Sequence, residues 1–177
     1  EDKVKLVAIT HIPTNGGLIN PANDIGDVCE LHNIPYLLDA CQSVGQLDLD
    51  VKKLKCSFLS GTSRKYLRGP RGIGFLYIRK DFIESIEPVF LDIHAATWGV
   101  DTWGGATDSS QGAASTTSTS SSTTKRDTNI YAVRKDARRF ETWEMSISGV
   151  VGSGKALDYA LELGMDNIGK NIISKSN

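Results

Sequence analysis

No apolar run in this chain approaches the roughly 20 residues that a membrane-spanning helix needs. Neither sign of charge is in excess, since 20 Lys and Arg stand against 21 Asp and Glu for a formal net charge of −1. The first absence argues against a membrane protein. The second removes any general case for nucleic acid or a membrane surface as partner, so each basic cluster has to be read locally. Cysteine is scarce as well: Cys29, Cys41 and Cys56 are an odd number without metal-ligand spacing, which favours reduced core thiols over a disulfide framework or a metal site. The opening EDKVKLVAITHIP is acidic and then strand-like rather than a signal peptide, so a cytoplasmic chain is expected.

What is present is ordinary globular material, 177 residues with 40% hydrophobic and 23% charged side chains, enough to bury a core. Val4 to Ile9 reads as a strand covered on both faces, and the turn-rich THIPTNGG breaks it. A short helix is expected from Pro21 to His32, with Asn20 as its cap and proline at its first position. IPYLLDA follows as a second buried strand ending at Asp39. This strand, loop, helix, strand order implies an α/β fold with a mainly parallel sheet and right-handed crossovers. Phe58 and Leu59 suggest a third strand, and GIGFLYIRKD from Gly72 is the clearest strand of the chain. Residues 104–128 are almost entirely small and polar, an expected disordered insertion that separates 1–103 from 129–177. Apolar spacing then predicts a helix from about Ser146 to Leu163, ended by Gly164.

Two places carry chemistry. SGTSRKYLRGPRG, positions 60–72, concentrates Arg64, Lys65, Arg68 and Arg71 among glycines and a proline, just after Lys55. It is either a solvated turn between strands or a loop that holds an anionic ligand against one special lysine. In LLDACQS, Asp39 ends a buried strand, where an unpaired carboxylate is costly unless it meets a cation. It serves either as a cap for the next turn or as the partner of a protonated ring nitrogen. A lysine made nucleophilic by its surroundings, paired with an acidic partner for a pyridinium, is the arrangement that pyridoxal phosphate (PLP) sites use.

YLLDACQSVGQLDLDV followed by FLSGTSRKYLRGPRGIGFLY resembles the cofactor core of the class V aminotransferase family, which contains cysteine desulfurases, selenocysteine lyases and isopenicillin N epimerase-like enzymes. The resemblance implies part of the large PLP-binding domain of a fold-type I enzyme, with amino- and carboxyl-terminal parts of the family missing. Lys65 is then implied to form the Schiff base and Asp39 to bind the pyridine nitrogen. Gln42 would hydrogen-bond the phenolic oxygen, with Thr62 and Arg64 at the phosphate and His11, Thr14 and Asn15 on the substrate side. The RKYLRGPRG wording is similar to the epimerase-like and C–S lyase-like branch, since desulfurases usually carry histidine where Arg64 stands; RRFETWE is similar to that branch too. A homodimer acting on an amino acid is implied, although Thr142, Trp143 and Glu144 replace the Gly-Thr pair that reaches the partner subunit's phosphate in many relatives.

Two rival readings stand beside this one. GVVGSGKA, positions 149–156, meets the phosphate-loop pattern until Ala156 replaces the required Ser or Thr, and it lies inside a helical pattern. The other rival is a truncated, non-catalytic fragment that binds no cofactor by itself. His32 at a helix end and His94 near Asp92 read as structural, as do Trp98, Trp103 and Trp143. Arg138 and Arg139 are expected to pair with Glu141.

Overall fold

The computed structural model of the chain describes residues 4–98, 131–142 and 144–176. The expected insertion at 104–128, Trp103 and Trp143 lie outside the described residues, as does the side chain of Trp98. The chain divides into two compact units, Glu1–Ile86 with Glu144–Asn177, and Glu87–Trp143.

In the first unit, β1 (Val7–Thr10), β2 (Tyr36–Asp39), β3 (Phe58–Thr62) and β4 (Gly74–Ile78) form one sheet in sequence order. The first three run parallel and β4 returns antiparallel to β3. The helix α1 (Ala22–Leu31) makes the crossover from β1 to β2, and the single turn α2 (Val51–Leu54) leads into β3. This is the expected α/β architecture, a mainly parallel sheet with helices.

Strand alternation decides what is buried. Tyr36, Leu38 and Leu59 point to one face, where they join Ala22, Cys29, Leu54 and Cys56 in the core. Each buried leucine there contributes about 1.5–3 kcal/mol by leaving water. The other face carries Thr10, Asp39 and Ser60. Cys29 and Cys56 are free buried thiols and Cys41 is a free, half-buried one. β1 departs from the expected fully covered strand: pairing begins at Val7↔Tyr36, and Val4 and Leu6 before it are exposed.

The start of α1 also differs from expectation. Pro21 takes the cap position with no side-chain bond, because the Asn20 amide is already committed to the Thr10 carbonyl at 2.7 Å. Asn20 closes the end of β1 instead of capping the helix.

α3 (Lys80–Ile83) follows β4, and α4 (Ile147–Leu163) begins where Ser146 Oγ accepts the Gly149 amide, ending at Gly164 with φ 81°. The whole phosphate-loop lookalike therefore lies within a helix whose amides are largely bonded along its own axis. A phosphate loop instead offers free amides between a strand and a helix. Lys155 is solvent-facing, 3.8 Å from Asp158 one turn on, so the nucleotide-binding alternative is overturned. The small residues have a packing role: a Cβ on Gly149 would fall 2.7 Å from Ile73 Cδ1, and one on Gly152 would fall 2.8 Å from Pro70 Cγ. A further helix, α5 (Met165–Ser176), was not anticipated. No helix among the described residues is long and apolar enough to cross a membrane.

The second unit pairs β5 (Ala96–Trp98) antiparallel with β6 (Tyr131–Val133) and adds a 3-10 turn at Ala137–Phe140. The expected arginine–Glu141 pairing does not form. Asp136 caps the turn and takes the Arg138 guanidinium at 2.6 Å, while Glu141 meets His94 Nε2 at 3.1 Å. Arg139 is buried with its guanidinium 5.8 Å from the Phe140 ring centre, and its Nε has no hydrogen-bond partner among the described residues. The local capping geometry of Asp136 competes successfully for Arg138.

Candidate functional site

The parallel register sets Thr10 opposite Asp39 and Asp39 opposite Ser60, so three polar residues stand abreast, Thr10 and Asp39 at the carboxyl ends of β1 and β2 and Ser60 in the middle of β3. Strand ends of this kind are where open α/β sheets bind ligands. The central carboxylate is held by its neighbours. The Cys41 amide donates to Asp39 Oδ1 at 3.0 Å, the Ser60 hydroxyl reaches the same oxygen at 3.5 Å, and the Thr10 hydroxyl reaches Oδ2 at 3.5 Å. Burial pushes the Asp39 carboxyl up, but the amide and thiol of Cys41, the Lys65 charge and the Ser60 hydroxyl outweigh it, and the net shift is downward. Asp39 is therefore an ionised group at neutral pH. The adjacent Cys41 thiol is pushed up by burial and by that same carboxylate.

Lys65 lies half-buried on the loop between β3 and β4, and its positive charge acts on Asp39. The loop is pinned at its base: the Ser63 hydroxyl donates to the carbonyls of Pro70 and Ile73, and the Gly69 amide donates to Ser63 O at 2.8 Å. The Arg68 amide closes a tighter turn on the Lys65 carbonyl at 2.9 Å, with Arg68 itself left-handed at φ 60°. From the side, Gly45 (φ 86°) lets the backbone of Tyr66 and Leu67 lie against the turn that follows Asp39. Thus the segment after β2 and the segment after β3 are in backbone contact, which brings the aspartate and lysine loops together.

The other expected residues fall on the same end of the sheet with different degrees of engagement. Thr62, the last residue of β3, directs its hydroxyl to Ile73 O at 3.4 Å, and Arg64 is exposed on the loop. Gln42 Nε2 donates to Thr14 Oγ1 at 3.1 Å, which ties the loop after β1 to the turn after β2. His11 is buried, with Nδ1 3.0 Å from Ser43 Oγ and its backbone amide on the Asp39 carbonyl, and burial holds its imidazole below the ordinary pKa. Asn15 is exposed in the same loop. A cavity of about 580 Å3 borders His11 and Asn20 and is closed by residues of α1, α2 and α5, but it touches neither Asp39, Gln42 nor Lys65. The convergence of charged and hydroxyl groups at the strand ends, rather than this larger hollow, marks the candidate site.

Sequence reasoning missed Ser60, Thr10 and Gly45. Ser60 was legible in principle, since alternation along FLSGT places it on the Asp39 face. Thr10 needed the register of β1, and Gly45 needed the contact with the following loop.

The sequence model of the class-V aminotransferases matches residues 1–177. The chain therefore belongs to the class-V aminotransferase family, whose enzymes use pyridoxal phosphate. It is 31% identical over 170 residues to a cysteine desulfurase of Salmonella newport (strain SL254), covering 96% of this chain and 35% of that protein. The structure is similar to the apo cysteine desulfurase of Thermococcus onnurineus NA1, with a TM-score of 0.71, 26% identity, and coverage of 92% of this chain and 34% of that one. It shares the fold of C-DES, solved in a mutant form with glycine covalently linked to the PLP cofactor, at a TM-score of 0.68 and 24% identity over 90% of this chain and 36% of that one. The chain spans about a third of the length of the curated relatives it matches.

Proposed function

We propose that this chain carries the lysine and aspartate of a PLP site in an enzyme acting on an amino acid, with Lys65 as the residue that joins the cofactor covalently. The observation that carries this reading is that the turn after Asp39 and the loop that carries Lys65 meet backbone to backbone at Gly45 and Tyr66, with the Lys65 charge among the influences that lower the Asp39 carboxyl. The donor set fits the group: a carboxylate for a pyridinium, an amine for an aldehyde, and a hydroxyl (Thr62) and a guanidinium (Arg64) for a phosphate. Bound there, PLP supplies an electron sink for the bond broken next to the substrate's amino group.

The chain's own residues divide the remaining work. Asp39, being ionised, would hold the proton of a pyridine nitrogen placed against it. Lys65 Nζ would be the group to take or return a proton at the substrate's α-carbon. Gln42 would offer its amide to the phenolic oxygen, and its bond to Thr14 would link that contact to the substrate-side loop of His11, Thr14 and Asn15. A homodimer is the assembly we propose for the whole protein.

C–S bond cleavage on a cysteine-like substrate is the reaction the matched desulfurases favour. Arg64, standing where desulfurases usually carry histidine, favours an epimerase-like or C–S lyase-like member over a desulfurase, so it leaves both bond choices in play. Incubating PLP-loaded protein with L-cysteine, and separately with single enantiomers of other amino acids, tests the choice. Release of sulfide or persulfide supports C–S cleavage, inversion at the α-carbon supports the epimerase-like branch, and neither product would count against the assigned reaction class.

A further inference from the structure

We propose that Ser60 and Thr10 are positioning residues that fix the plane of the Asp39 carboxylate so that Oδ2 is the oxygen presented to the cofactor's ring nitrogen, an inference that rests on the reading above. The two oxygens of Asp39 are unequally engaged. Oδ1 takes both the Cys41 amide at 3.0 Å and the Ser60 hydroxyl at 3.5 Å, whereas Oδ2 takes the Thr10 hydroxyl at 3.5 Å, and the Cys41 thiol bonds to the carboxylate as well. A carboxylate oxygen has about two lone-pair sites. Oδ1 carries the shortest of these bonds, and Oδ2, whose hydroxyl contact is long, is the oxygen assigned to an incoming N–H.

The arrangement follows from the sheet and not from side-chain chance. Thr10, Asp39 and Ser60 are register partners on adjacent parallel strands, so their side chains leave the same face at the same level. Neighbouring strands are about 4.8 Å apart, which lets a hydroxyl on either flank reach the central carboxylate. Rotation of Asp39 about its terminal torsion, otherwise broad and two-fold, would break the Cys41 and Ser60 contacts together. Nearby groups that also act on the carboxylate are the Lys65 ammonium from the loop after β3 and the Cys41 thiol from the turn after β2, with His11 attached at the Asp39 backbone carbonyl.

The test is an NMR titration of the cofactor-free protein carrying 13C-labelled aspartate carboxyls, assigned through Asp39→Asn, in the unaltered protein and in Ser60→Ala, Ser60→Thr, Thr10→Val and Thr10→Ser. Each hydroxyl lost is expected to raise the Asp39 midpoint by about half a pH unit, and the Ser60→Thr and Thr10→Ser variants are expected to restore it. The same two deletions are expected to weaken PLP uptake about tenfold through a misdirected carboxylate. An Asp39 midpoint unmoved in both Ser60→Ala and Thr10→Val, with circular dichroism unchanged, overturns the inference. Absence of PLP at Lys65 in the unaltered protein overturns the cofactor reading instead, and with it the assignment of Oδ2 to a ring nitrogen, while the titration still decides whether the hydroxyls hold the carboxylate.

Discussion

Gly45 and Tyr66 meet backbone to backbone: a Cβ on Gly45 would sit 2.5 Å from the Tyr66 carbonyl carbon and 2.8 Å from its oxygen. This contact joins the turn that follows Asp39 to the loop that carries Lys65. Gly45 also has φ 86°, a conformation that side chains disfavour. Gly45→Ala should therefore destabilise the protein by about 1–3 kcal/mol. It should also slow labelling of Lys65 by PLP more than labelling of other lysines, as peptide mapping after reduction would report. Normal Lys65 labelling in a destabilised Gly45→Ala protein would separate the contact from lysine placement.

The helix α4 supports the same loop from another side. Gly152→Val pushes a branched side chain into Pro70, and overpacking of this kind costs about 1–3 kcal/mol. Lys155→Ala, which removes only a solvent-facing side chain, should change stability by no more than about 0.5 kcal/mol. Urea denaturation of both variants checks the contrast. An equal loss in the two would contradict the role given to the glycine face.

His11 makes stability depend on pH in a definite direction. Its folded imidazole is held below the ordinary value by burial, so the unfolded chain takes up a proton first as acid is added. The stability due to a neutral, Ser43-bonded His11 is fully present above about pH 6.5 and is lost as pH falls toward the lower folded value. The difference in urea midpoint between the unaltered protein and His11→Gln should narrow between about pH 7 and pH 5. A difference that stays constant or widens would show that His11 does not titrate as the fold requires.

The parts of this fold that the sequence announced are those where local pattern and tertiary demand agree. Leu38 and Asp39 sit at the end of an apolar run that had to be a strand, and the carboxylate at its tip is costly enough to announce chemistry. Ser146 and Gly164 bracket a helix whose cap residues are locally favoured, and both ends fall where expected. The failures occur where one side chain had two possible partners. Asn20 could cap α1 or close β1, and Arg138 could meet Glu141 or Asp136; only the folded backbone settles which is nearer. Leu6 looked like core because it is apolar, yet strand pairing begins one residue later. Within the proposed site, Asp39 and Lys65 stand out by their local chemistry, and Gln42 enters only through the family resemblance. The hydroxyls flanking Asp39 depend on strand register, which a linear motif does not encode.

The central claim is that Lys65 attaches PLP, and the direct measurement is the visible spectrum of the protein with added PLP, followed by borohydride reduction and peptide mapping, with Lys65→Ala as control. The account predicts a reducible absorption band, a single modified peptide carrying Lys65, and loss of both in the control. A band that survives Lys65→Ala, or a modification mapped to Lys55 or Lys80 with Lys65 untouched, would contradict it.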